Sequence, residues 1–204
     1  DANVPQQTVY RSEIDAQGAP SGWSAVTTFP DIVTSHAATA FGGRIYVLGG
    51  LSDARSQTTP RVWSVAVDTG GHLGIWQREP DFPFGVSGVR GTVALTASGR
   101  LYAAGGYDDR TGQRKADVWS TKPSSTGFLE AWRQETSLPE PLAFHGGAAG
   151  PAGLYIAGGA VILDISERSR PRVAGRWNHS PPFNGFTHTV LPLFGRNLLI
   201  VSDE

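Results

Sequence analysis

The apolar residues of this chain fall in short runs broken by glycine, proline and polar turns. One run recurs: Phe41 to Gly50 (FGGRIYVLGG) returns as Ala97 to Gly106 (ASGRLYAAGG) and as Gly150 to Gly159 (GPAGLYIAGG). Each copy is a turn, an aromatic-bearing apolar run and a glycine pair. Runs this short, bounded by turn formers, predict strands. The pairs Gly49-Gly50, Gly105-Gly106 and Gly158-Gly159 stand at nearly even spacing. A period of roughly fifty residues in a glycine-rich, strand-forming chain predicts a β-propeller, in which each repeat is a small sheet that buries its faces against its neighbours.

The rest of the pattern fills in the repeat. Small-residue strands precede the recurring run at His36 to Phe41, Thr92 to Ala97 and His145 to Gly150, with a fourth at Thr187 to Phe194. They suit the crowded position nearest a central axis. Second strands follow at Ile45 to Leu48, Leu101 to Ala104 and Leu154 to Ala157. Tyr10 and Trp23, Trp63 and Trp76, and Trp119 and Trp132 share one separation, each pair spanning a glycine-bearing turn. These pairs predict hairpins of third and fourth strands, the outer strand ending in Trp. Phe29-Pro30, Phe82-Pro83, Leu138-Pro139 and Pro181-Pro182 belong between sheets, because proline cannot donate to a ladder. Leu51 to Arg61 and Tyr107 to Ala116 read as long polar loops. The third repeat lacks one, and Val161 to Ile165 starts its third strand at once.

Asp1 to Thr8 is polar and reads as an extended arm, with residues 9–204 as one propeller domain. The fourth repeat has two strands, the second at Leu198 to Val201, and the N-terminal stretch begins with the two it lacks, Val9 to Ile14 and the Trp23 strand. Joining them predicts four sheets in a ring, which removes exposed edges. The glycine pair after IYVLGG, the third-strand aromatic and the fourth-strand Trp together resemble the kelch repeat, as in the galactose oxidase and kelch interaction-domain families. The resemblance implies an all-β propeller of four-stranded blades. Such families typically have six or seven blades, so a count of four leaves open a complete small propeller or part of a larger ring.

Composition narrows the chemistry. With 17% charged residues and a net charge of −1 over 204 residues, neither a polyanion-binding surface nor an acidic tail is indicated, which argues against nucleic acid as a partner. No apolar run approaches the roughly 18 residues of a membrane-spanning helix. The absence of Cys excludes disulfides and cysteine nucleophiles. It also excludes a copper radical oxidase of the galactose oxidase type, which needs a cysteine cross-linked to tyrosine. The chain has no Met, and a processed end at Asp1 leads to the expectation of an exported protein, secreted or periplasmic.

Candidate chemistry is sparse. His36 and His145 stand at the same distance before their glycine pairs and His188 lies near that place, so three imidazoles converging on an axis would suit zinc or copper. The competing reading is a histidine that opens the inner strand and meets the neighbouring sheet's backbone. It is the better one, because buried polar groups need partners and no carboxylate recurs beside the histidines. The six Trp with Tyr46, Tyr102 and Tyr155 keep register with the repeat, which points to packing between sheets rather than to a sugar platform. The two long loops break register and carry charge: Asp53, Arg55 and Arg61 in the first, Asp108, Asp109, Arg110, Arg114 and Lys115 in the second, with Arg90 expected to join them. Loops on a rigid scaffold concentrate binding residues, and arginine suits carboxylates and interfaces. Asp108-Asp109 lacks the spaced oxygens of a calcium loop, and the sequon at Asn178 is followed by Pro181. No catalytic residue, metal or cofactor is assigned. The expected function is a non-catalytic protein-interaction module, binding a protein partner or a copy of itself as a subunit of a larger assembly. The alternative is a carbohydrate-active or sugar-binding protein, since kelch-like propellers include a sialic acid epimerase.

Overall fold

A computed structural model describes residues 6–52, 57–85, 87–150, 153–157, 160–164, 172–177, 187–193 and 198–203. Among these the fold is all-β, with no helix. A hairpin of β1 (Thr8–Ile14) and β2 (Pro20–Thr28) opens the chain, and β3 (Val33–Thr34) leads into the first repeat. That repeat holds β4 (Ala37–Phe41), β5 (Arg44–Leu48), β6 (Leu51–Ser52), β7 (Gln57–Thr58), β8 (Val62–Ala66) and β9 (Gln77–Glu79). The second holds β10 (Val93–Ala97), β11 (Arg100–Ala104), β12 (Tyr107–Asp108), β13 (Gln113–Arg114), β14 (Val118–Thr121) and β15 (Arg133–Gln134). Three further hairpins follow: β16 (Gly146–Gly150) with β17 (Gly153–Ala157), β18 (Ala160–Asp164) with β19 (Arg172–Trp177), and β20 (Thr187–Leu193) with β21 (Leu198–Asp203).

The first two repeats are four-stranded antiparallel meanders, β4-β5-β8-β9 and β10-β11-β14-β15. Their registers superimpose one repeat apart: Leu48 faces Val62 as Ala104 faces Val118, and Val47 faces Trp63 as Ala103 faces Trp119. The inner strands β4, β10 and β16 run as neighbours. The tight turns that start β5 and β11 use two consecutive left-handed residues, Gly42-Gly43 and Ser98-Gly99. That conformation matches the twist of a two-residue hairpin.

Aromatic side chains fill the space between sheets. Trp76 stands edge-on to Phe29 at 4.8 Å and Trp132 edge-on to Phe82 at 5.2 Å. Each of these phenylalanines closely follows the tryptophan of the preceding repeat, Trp23 or Trp76, at one and the same spacing. Both Trp76 and Trp132 stand just before the short outer strands rather than ending them. Tyr46, Leu48, Val62, Val89 and Leu101 are fully buried, and Phe82 and Leu129 nearly so. Tyr46 is a core residue, Tyr102 is half-buried and Tyr155 is 61% exposed.

Two expectations are corrected. The long polar loops are ordered as small ladders: β3 pairs β6 and β6 pairs β7 in the first repeat, and β12 pairs β13 in the second. In addition, the pairing of Val9 to Ile14 with Leu198 to Val201 is not formed. Among the described residues β1 pairs with β2 and β21 with β20, so no closed ring is present. Of the N-terminal arm, residues 1–5 lie outside the described residues, and Gln7 is bound at its carbonyl by the Phe29 N–H at 2.7 Å.

Trp132→Ala removes the contact with Phe82 and leaves a void between sheets. The substitution is expected to cost about 3 kcal/mol, the lower end of the range for a buried aromatic, seen as a reduced denaturation midpoint. An unchanged midpoint would show that this ring does not join the sheets.

Candidate functional site

Two adjoining cavities open between the first and second repeats, and they share Ser87 and Arg110. The first, of about 340 Å³, is walled by Thr58, Thr59, Arg61, Arg78 and Asp81. The second, of about 470 Å³, is walled by Phe84, Thr111, Lys115, Asp117 and Trp119. Both fall near the size range of small-ligand pockets. Together they form a trough beside the small ladders.

Most of the charges that the sequence marks here are already engaged. Arg61 Nη1 lies 2.7 Å from Asp31 Oδ2, whose side chain is only 10% exposed. Arg90 donates to Asp109 through Nε at 2.7 Å and Nη2 at 2.9 Å. Its guanidinium also lies over the rings of Tyr107 and Phe144, at 5.4 and 5.3 Å from their centroids. A forked, half-buried arginine clamped between two rings is a structural strut.

Asp108 is 3% exposed and organises its own loop. It accepts from Ser87 Oγ at 3.1 Å and from the Arg110 N–H at 3.0 Å, and Lys115 Nζ approaches at 3.4 Å. Burial is the largest single influence on this carboxyl and would raise its pKa, but hydrogen bonds involving Thr111, Ser87, Arg110 and Lys115 outweigh it and hold the pKa low. Arg78 is paired with Asp81 and also donates to the Val62 carbonyl. That leaves Arg110 and Arg114 exposed, with no ion pair among the described residues. Of these two arginines, Arg110 lines both cavities. Asp53 and Arg55 lie outside the described residues.

His36 and His145 occupy separate surroundings. His36 stacks on Phe29 at 6.4 Å, while the His145 ring lies against Gly105, where an added Cβ would come within 2.7 Å of it. His188 falls in β20, whose side chains lie outside the described residues. No group of three metal-ligating side chains occurs among the described residues. Burial is the main cause lowering the pKa of both His36 and His145. His36 keeps much of its surface in solvent, so its shift carries less weight. Both ring nitrogens of His145 are buried without a hydrogen bond. The nearby Ala104 carbonyl, already bonded by Thr92 Oγ1 at 2.9 Å, offsets the burial only in part.

A polar constellation that the sequence reading missed repeats inside the sheets. Arg44 Nη2 donates to Ser64 Oγ at 2.8 Å and Ser64 donates to Glu79 Oε1 at 2.6 Å. Arg100, Ser120 and Glu135 form the same relay at the equivalent positions of the second repeat. Glu79 Oε2 also accepts the Leu129 N–H at 2.8 Å, across to the second repeat. Ser64 is fully buried and Glu79 is 4% exposed. Through Glu79 the first relay therefore ties the first repeat to the second.

No family model and no curated protein matches the chain. Among solved structures it is similar to that of YjhT, with a TM-score of 0.54 and 17% identity, over 75% of this chain and 49% of that one. The chain thus spans about half the length of that structure. A likeness this distant in sequence bears on the fold alone.

Two outcomes follow from the engaged groups. Arg90→Ala breaks the ion pair and both ring contacts and should lower stability by about 1 to 3 kcal/mol, whereas Arg110→Ala should leave the thermal midpoint within a degree or two of wild type, about what a change below 0.5 kcal/mol gives. The second outcome concerns acid. Folding favours neutral His145, so its contribution is complete above the ordinary histidine value of 6.5 and is lost as pH falls below it toward the lowered folded value. Thermal melts of His145→Gln should show a weaker decline in stability below pH 6.5 than wild type, at pH values still above the carboxylate range.

Proposed function

We propose that this chain is a non-catalytic binding module with kelch-like propeller architecture, which presents the trough between its first two repeats to an acidic segment of a protein partner. The propeller reading is supported by the superimposable four-stranded meanders, their adjacent inner strands and the tryptophan-on-phenylalanine contact made twice between repeats. The binding reading rests on Arg110. It is exposed, lies where the two cavities meet and has no ion pair among the described residues. Around it, Arg61, Arg90 and Arg78 are committed to Asp31, Asp109 and Asp81. A guanidinium with uncommitted donors suits a carboxylate, which it holds through two parallel hydrogen bonds. Beside it, the half-buried Trp119 offers apolar surface for a neighbouring side chain of the same segment. Arg114, exposed in β13, extends the positive edge.

The test compares proteins captured by wild type with those captured by Arg110→Ala/Arg114→Ala, using Lys122→Ala, a substitution outside the trough, as a control. Cross-linking and mass spectrometry should show partners held by wild type and the control but depleted at least about tenfold by the double variant, as expected for loss of a charge-assisted contact. Undiminished capture of the same partners by the double variant would refute this role for the trough.

A further inference from the structure

One polar group in the wall of the first cavity is left without a partner among the described residues. Thr58 is 6% exposed, and its Oγ1 is buried with no hydrogen bond. An unpaired buried hydroxyl lowers stability, so one in a cavity wall points to a group that the cavity receives. The neighbouring Thr59 is equally buried and belongs to the same wall. Its Oγ1 accepts the Arg61 N–H at 3.3 Å, which leaves its hydroxyl proton to be donated. The backbone carrying both threonines is pinned, because the Thr59 N–H donates to Gly50 O at 2.9 Å and the Phe82 N–H to Pro60 O at 2.8 Å. Both hydroxyls are thus in place before a ligand arrives.

Three guanidiniums share this wall with one carboxylate, that of Asp81. Arg78 neutralises Asp81 and is itself fixed by the Val62 carbonyl and by the Trp63 ring, whose centroid lies 5.6 Å away. Arg61 uses Nη1 for Asp31, which is not part of the wall, and its Nε and Nη2 make no hydrogen bond among the described residues. Arg110 adds a guanidinium with no ion pair among those residues. A carboxylate would leave most of these donors unused, since a single forked arginine satisfies it. A phosphoryl group presents three acceptor oxygens and, at neutral pH, about two negative charges.

We infer that the first cavity binds the phosphoryl group of a phosphomonoester, with Arg61, Arg110, Thr58 and Thr59 donating to its oxygens. At about 340 Å³ the cavity exceeds what a bare anion fills, which favours an ester. The second cavity, which shares Ser87 and Arg110 with the first, takes the part of the molecule that carries the phosphoryl group. Ser87 donates its own proton to Asp108 at 3.1 Å, so at this junction it accepts rather than donates. The half-buried Trp119 gives the second cavity an apolar wall. A phosphorylated side chain of a protein segment and a small phosphorylated molecule present the same group. The inference rests on the trough as the binding surface proposed above and names the group that it holds.

Thr58→Val tests this without disturbing the fold, since it removes a hydroxyl that has no partner among the described residues and keeps the branched shape. Binding to the full chain is followed by NMR titration at constant ionic strength. The probes are inorganic phosphate, phosphoserine capped at both ends and, for comparison, glutamate capped likewise. Both phosphoryl probes should bind wild type, and at least about tenfold more weakly to Thr58→Val and to Arg110→Ala, as for loss of a hydrogen bond to a charged group. The thermal midpoint should stay in place. Phosphate binding that Thr58→Val leaves unchanged would overturn the inference, as would no phosphate binding or glutamate bound as tightly as phosphoserine. Phosphatase treatment of the proteins captured by wild type then separates the sources. Lost capture assigns the group to a partner's side chain, and capture that survives, beside phosphate binding by the purified chain, assigns it to a small phosphoester. The trough reading stands or falls separately, on partner capture by Arg110→Ala/Arg114→Ala.

Discussion

The fold depends on a carbonyl oxygen that enters the bend after β5 and again after β11. Val89 O accepts the Gly50 N–H at 2.9 Å, and Leu142 O accepts the Gly106 N–H at 2.7 Å. A Cβ on Gly49 or on Gly105 would lie 2.5 Å from the same oxygens. The first glycine of each pair therefore makes room for the neighbouring repeat and the second binds it. All four residues are buried and have positive φ, a backbone conformation that costs other residues energy. Any side chain there would both strain the bend and push the next sheet away. The inter-sheet aromatic contacts are then set by how far this carbonyl enters.

That constraint explains why so much of the fold was legible in the sequence. The glycine pairs mark where strands end, and their spacing gives the register of whole sheets, so β5, β11 and the inner strands fall within a residue or so of their expected bounds. The two-residue strands β6, β7, β12 and β13 were not legible, because a ladder that short shows no alternation. Their signal lay in the repeat offset instead: Thr34 and Leu51 pair just as Arg90 and Tyr107 do at the equivalent place in the second repeat. Closure was less legible for a different reason. Complementary strands at the two ends show which partners would suit one another, but pairing between strands so distant in sequence has a loop-closure cost that local pattern does not reveal.

The site was less legible than the fold because composition does not distinguish a free arginine from a satisfied one. Arg61, Arg90 and Arg110 look alike in sequence, yet the first two are held by Asp31 and Asp109 while the third has no such anchor among the described residues. Asp108 looked like a contact residue and is instead buried at the root of its loop. The internal relay was hidden in the same way. Arg44, Ser64 and Glu79 are polar residues on the sheet face that also carries Tyr46 and Val62, and their recurrence as Arg100, Ser120 and Glu135 at a constant offset was available as a clue.

One backbone feature bears on how such chains change in length. Ser35, Gly91 and Phe144, at equivalent places before the inner strands, all adopt left-handed φ between 52° and 60°. The Gly91 N–H donates to Ser35 O at 2.8 Å, and the Phe144 N–H donates to Gly91 O at 2.7 Å. The amides thus run head to tail, each repeat donating to the one before it and accepting from the one after. Gly91 fills both roles at once. An inserted copy of such a unit brings its own donor and acceptor, so it interrupts the series at one joint and restores it at the next. Tandem duplication or loss of a repeat then needs no compensating change elsewhere, since stability depends on neighbours only.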